Sequence, residues 1–145
     1  MLANGSISGF AVFRYAGSSE AAAPLQGQLG ASFSLAFDNT GGHSTGVALA
    51  NLAGFQTNIA ATVWDQYGNM IVSQQPITFA KTDSSGNGHD AFMLAEQLPA
   101  TAGTLGIVEF QSNPLTPFGP VRQLAGLGLR AGPNGSFMSL PITTP

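Results

Sequence analysis

The stretch KTDSSGNGHDAFML, residues 81–94, crowds two aspartates, an asparagine, two glycines and one of the chain's two histidines into fourteen positions. Asp83, Ser85, Asn87 and Gly88 fit the first half of an EF-hand loop, whose alternate oxygens wrap calcium and whose glycine allows the sharp turn. The second half departs from that pattern. Its twelfth position is Leu94, where a bidentate glutamate is required, and no helical periodicity flanks the loop. A looser calcium site built from Asp83, Asn87 and Asp90 is the one metal reading left, and a polar, glycine-rich turn is preferred to it. No other cofactor is implied.

His89 beside Asp90 suggests a carboxylate-oriented imidazole, which titrates near neutrality. Neighbours along a strand point to opposite faces, so Asp90 is poorly placed to orient it. The other histidine, His43 in GGHSTG, would have to meet His89 in space to make a metal site. Nucleophilic catalysis has no better support: no serine stands in a G-x-S-x-G elbow, and SSGNG and GSSE read as turns. The carboxylates Glu20, Asp38, Asp65, Glu96 and Glu109 show no spacing that nominates a glycosidase pair. The TGG segment lacks the following helix that a phosphate cradle needs. The chain therefore reads as non-catalytic.

Aromatic residues offer a different chemistry. In NIAATVWDQYGN, residues 58–69, Ile59, Ala61 and Val63 share one strand face, which places Thr62 and Trp64 on the other, beside a hairpin carrying Tyr67. A tryptophan on the outer face of a sheet implies a partner. Aromatic faces stack on sugar rings, and Asp65, Gln66 and Asn69 would then hydrogen-bond the hydroxyls. The competing reading is that Trp64 packs under a loop or against a neighbouring module. Tyr15, Phe55 and Phe118 are weaker candidates of the same kind.

The elements that must position these groups are short strands. GFAVFRY, SFSLAFDN, TGVALANL, NIAATVWD, MIVSQQPITFA, TLGIVEF, LAGLGLRA and GSFMSLPI recur between clusters of Gly, Asn, Ser and Pro. Phe33, Leu35 and Phe37 alternate with Ser32, Ser34 and Ala36, the pattern of a strand covering a core on one side. The expected fold is all-β, a two-sheet antiparallel β-sandwich of immunoglobulin or fibronectin type with about ten short strands. Gly68 marks a hairpin, and Asn134–Gly135 marks a second of type I′. The one helical suggestion is a single turn near residues 95–98, stopped by Pro99. Residues 9–25 and 126–142 resemble each other as two end hairpins, and residues 141–145, PITTP, have the composition of a linker. Residues 1–145 make a single module, long enough to hold a core without disulfides.

Composition narrows the partners. Charged residues are 8% of the chain, against about 25% in an average domain. With net charge −3 and only Arg14, Lys81, Arg122 and Arg130 as cations, no basic stripe exists to track phosphates, so nucleic acid is excluded as a partner. Weak charge also leaves little repulsion between copies, which favours self-association. There is no cysteine, so neither disulfides nor thiolate zinc enter. No apolar run reaches the about 18 residues of a membrane span, so membrane insertion is not expected. MLANGSISGF lacks the basic and apolar regions of a leader, so an extracellular location implies a leader outside this sequence.

GFAVFRY followed by EAAAPL, then FDNTGGHSTGVALANL, GHDAFMLAEQLPAT, GIVEF and GLGLRAGPNGSFMSLPI, resemble the β-sandwich modules near the ends of large secreted proteins of soil Acidobacteria. The resemblance spans nearly the whole chain. It implies an extracellular or cell-surface, immunoglobulin-like, non-catalytic accessory module within a multidomain protein. It also implies that the GH before AF is a feature of strand entry, making His89 a hydrogen-bonded structural residue. Where those modules carry a polar residue ahead of D..GN, this chain has Trp64. The expected function is polysaccharide binding through Trp64 and Tyr67; the alternative is a structural role as spacer, adhesin or filament subunit contacting neighbouring modules or its own copies.

Overall fold

The computed structural model describes residues 9–15, 19–24, 29–52, 58–79, 81–82, 84, 88–113 and 123–144. The alternation read from the sequence becomes twelve strands among them. They are β1 (Phe10–Tyr15), β2 (Ser19–Pro24), β3 (Ser32–Asp38), β4 (Ser44–Asn51), β5 (Asn58–Asp65), β6 (Met70–Ile77), β7 (Lys81–Thr82), β8 (Gly88–Met93), β9 (Leu105–Asn113), β10 (Leu124–Ala131), β11 (Phe137–Leu140) and β12 (Ile142–Thr143). One sheet runs β11-β10-β4-β8-β7, the other β12-β3-β9-β5-β6, and β1-β2 is a separate hairpin. The two five-stranded sheets pack face to face as an all-β antiparallel sandwich.

Alternation decides what lies between them. On β3, Phe33, Leu35 and Phe37 are 3% exposed or less, while Ala36 is exposed. Val108 and Phe110 of β9, Ile59, Ala61 and Val63 of β5, Val47 and Leu49 of β4, Leu124 of β10, and Ile77, Leu94 and Leu98 share that core. Each large apolar side chain buried this way contributes about 1.5–3 kcal/mol. Phe33 and Phe110 tilt together with ring centroids 5.4 Å apart, and Phe92 meets Phe110 edge-on at 6.3 Å. Glycine makes this closeness possible: a Cβ at Gly126 of β10 would overlap the Phe33 ring, and one at Gly128 would crowd Leu140 and Leu35.

The strand order adds a feature to the immunoglobulin expectation. β4-β8-β7 facing β9-β5-β6 reproduces the B-E-D and F-C-C′ arrangement of an immunoglobulin sandwich. The outer members trade places: β10, late in the chain, lies beside β4 where strand A would lie, and β3 lies beside β9 where strand G would lie.

Three local expectations change. The reversal at Asn134 is not type I′. Gly135 N–H donates to the Gly132 carbonyl, and among Pro133, Asn134 and Gly135 only Gly135 has positive φ, +74°. Pro133 presets the negative φ of a type I turn, and Gly135 forms the bulge that follows. Gly68, at φ +83°, closes the β5–β6 hairpin in the same way. The helical turn α1 (Leu94–Gln97) does come before Pro99, but Pro99 opens a 3₁₀ turn, Pro99–Thr101, rather than ending helical structure. Finally, residues 142–143 are not linker: Ile142 pairs with Leu35 and Thr143 with Ser34, because Ile142 has an apolar flank to cover.

The sheet edges are treated unequally. β6 carries two register shifts against β5, one at Gln74, which sits at φ +48°, and it also contains Pro76. Bulges and proline spoil an edge for further pairing. β7 and β12 are two residues long. β1 has six residues with neither bulge nor proline, and pairs on one side only, with β2, among the described residues.

Candidate functional site

Cross-strand pairing builds an apolar row on the outside of the second sheet. Trp64 of β5 lies opposite Ile107 of β9 on one side and Met70 of β6 on the other, and Ile107 in turn faces Ala36 of β3. Directly opposed residues in antiparallel strands share a face. Ile107 is 50% and Met70 55% exposed, and Trp64 between them is half-buried. Tyr67, at the hairpin tip, is 80% exposed. The sequence therefore located Trp64 on the outer face, and the folded chain flanks it with aliphatic side chains that shield part of the indole. Thr62, on the same face, is buried because the bulged Gln74 folds over it, its Nε2 donating to Thr62 Oγ1 at 3.0 Å.

The polar residues beside Trp64 serve the turn. Asp65 Oδ1 accepts from the backbone N–H groups of Tyr67 and Asn69, each at 2.9 Å, and Oδ2 accepts from Asn69 Nδ2 at 3.0 Å. The Asn69 side-chain amide, aided by these backbone donors, holds the Asp65 carboxyl below the usual carboxylate range. Asp65 and Asn69 thus satisfy each other and shape the hairpin, while Gln66 and Tyr67 project into solvent.

A second polar cluster, unforeseen from spacing, joins the two sheets. Asp38, at the end of β3, accepts from the Thr40 hydroxyl at 2.7 Å and the Thr40 N–H at 2.9 Å, and pairs with Arg130 of β10 across the sandwich. The Thr40 hydroxyl and N–H, against the opposing effect of burial and with the help of Arg130, lower Asp38 to about 2. His43 Nδ1 donates to the Thr40 carbonyl at 3.0 Å and lies 3.9 Å from Asp38. Arg130 Nε is buried without a hydrogen-bond partner among the described residues. Asn39 continues the network, receiving the Thr45 N–H at 2.8 Å and donating to Thr101 at 3.2 Å. Hydrogen bonds that favour the charged form keep a carboxylate ionised, the opposite of what a general acid requires. The cluster is an inter-sheet clamp. Its partners are 92 residues apart, which no local motif could reveal.

The remaining candidates separate. Asp83 and Asn87 lie outside the described residues. Asp90 is half-buried, its Oδ1 accepting the N–H of Ala91 at 2.8 Å. No group of three metal-ligating side chains occurs among the described residues. His89 stands opposite Ala50 at one end of β4, and His43 precedes the other end, so the two do not meet. His89 is exposed on the outer face, and of Ala91, Phe92, Met93 and Leu94 only Leu94 is fully buried. The reason is parity: Leu49 and Val47 take the inner face opposite Asp90 and Phe92, which turns His89 and Ala91 outward.

That outer face carries a feature missed in the sequence. Ala48, Ala50, Ala125 and Leu127 alternate with inward residues of β4 and β10, and the β1–β2 hairpin lies over them, with Phe13 and Ala23 facing a cavity of about 390 Å³. The signal was a strand apolar on both faces, ALAN within TGVALAN, which implies a cover on each side.

Fold and surface together define an all-β antiparallel sandwich with an apolar row on the outside of its second sheet. No family model, curated protein or solved structure matches the chain. No described helix is long and apolar enough to cross a membrane.

Proposed function

We propose that the chain is a non-catalytic, extracellular assembly module of a larger secreted protein, working by protein–protein contact as an adhesin or filament subunit. The observation that carries this reading is the outer row of Ile107, Trp64 and Met70, with Tyr67 at its end. The indole is flanked by Ile107 and Met70, and the Asp65 carboxylate and Asn69 carboxamide of the adjoining turn are engaged with each other. A sugar platform needs hydrogen-bonding groups beside its aromatic face, whereas a protein interface core is depleted in charge and enriched in aromatics and methionine. The low charge of the whole chain, and the resemblance to secreted accessory modules, support the same reading. Light scattering after size exclusion tests it: the protein associates with itself or with an adjoining module, and Ile107→Glu weakens that association. A strictly monomeric protein, indifferent to neighbouring modules at high concentration, would falsify it.

One observation favours polysaccharide as a second reading: Tyr67, in the turn that follows the strand of Trp64, is 80% exposed. Retention on insoluble polysaccharide, lost in both Trp64→Ala and Tyr67→Ala, would move the assignment to carbohydrate binding.

A further inference from the structure

Three of the sandwich's edges are blunted, whereas the hairpin strand β1 pairs on one side only among the described residues. Its exposed face carries Phe10 at 70%, Val12 at 52% and Arg14 at 76% exposure. A six-residue apolar strand with an unpaired edge is a template for strand addition. We infer that β1 is the docking edge for a second copy of this chain, which adds its own β1 antiparallel about a two-fold axis centred on Val12. This goes beyond the assembly reading above, which concerns the outer row on β9, β5 and β6.

Self-complementarity selects that occupant. An axis perpendicular to the sheet keeps each strand's exposed face on the same side, so residues of equal parity oppose one another. Centring on Val12 sets Val12 against Val12 of the second copy and Phe10 against its Arg14, twice over. The guanidinium then lies beside an aromatic ring, a favourable cation–π arrangement. Arg14 is already neutralised by Glu20, Nε to Oε1 at 2.7 Å, so no like charges face across the join. The result is a four-stranded sheet, β2-β1-β1-β2, in which Phe10 and Val12 of both copies form one apolar stripe. β2 is in turn anchored to the sandwich, where Ser139 Oγ donates to the Ala22 carbonyl at 2.6 Å.

Sedimentation velocity across a concentration series, combined with single cysteines, tests the inference. The chain has no native cysteine, so each introduced thiol reports alone. Val12→Cys yields a disulfide-linked dimer under mild oxidation. Phe10→Cys alone does not, but Phe10→Cys mixed with Arg14→Cys does. Val12→Lys places two lysines opposite each other and weakens association at least about tenfold, with the circular dichroism spectrum unchanged. If association survives Val12→Lys but is lost in Ile107→Glu, this edge is not the interface, although the assembly reading stands. Equal crosslinking at Val12, Phe10 and Tyr67 also overturns the inference. A wild type that never self-associates refutes this inference; if it also ignores adjoining modules, the assembly reading goes too.

Discussion

Replacing Asp38 by asparagine removes the charge of the inter-sheet clamp with little change of shape. Asp38 is held at about 2 instead of 3.8 in the folded chain. By proton linkage that difference corresponds to about 2 kcal/mol. The Asp38 side chain is 24% exposed, so solvent screens part of it. The expected loss is about 1–2 kcal/mol at neutral pH, or about 3–8 °C in Tm for a chain of this length. The folded pKa is depressed, so the contribution is fully present above the unfolded value and disappears as pH falls through about 2. Urea denaturation of wild type and Asp38→Asn should therefore show a gap at neutral pH that narrows below about pH 4 and closes near pH 2. Arg130→Met in the same cycle separates the ion pair from the Thr40 hydrogen bonds, the latter being the larger influence on Asp38. A gap that is equally wide near pH 2, or absent at neutral pH, would show that Asp38 does not stabilise the sandwich through its charge.

Other outcomes can be measured on the same protein. Gly126→Ala costs about 1–3 kcal/mol through overpacking, read as a lower urea midpoint at unchanged slope, and Phe33→Leu in the same chain recovers part of it. Gly68→Ala and Gly135→Ala each lose about 1–2 kcal/mol; a Cβ at either position meets nothing within 4 Å, so the loss reports backbone strain alone. Tyr67→Ala leaves stability within about 0.5 kcal/mol, so any binding it abolishes reflects surface contact and not unfolding.

The fold was legible where side chains alternate. Phe33, Leu35 and Phe37 declare β3, and Ile59, Ala61 and Val63 declare the inner face of β5, because a period of two assigns faces without reference to the rest of the chain. The same rule put Trp64 outside. It was silent about Ile107 and Met70, whose apposition depends on which strands flank β5 and in what register. Asp65 and Asn69 looked like ligand groups because polar residues in a turn suit either solvent or the turn itself. Only the backbone path, with N–H groups converging on Asp65, decides between them. Asp38 and Arg130 are the extreme case, since the pair exists only because β10 crosses into the sheet opposite β3. The type of the β10–β11 turn was ambiguous in the sequence: Asn134–Gly135 suits a type I′ reversal and Pro133 suits the second position of a type I turn, and the hydrogen bond from Gly135 N–H to the Gly132 carbonyl decides for the latter.

The clasp of β12 on β3 has a mechanical consequence. A Cβ on Gly30 would lie 3.9 Å from the Thr144 methyl, so the stretch from residue 30 to residue 144 enters and leaves the sandwich at one point. The segment between them is thereby closed like a ring, and any force that separates these two points acts directly on the two-residue ladder that pairs Ile142 with Leu35 and Thr143 with Ser34.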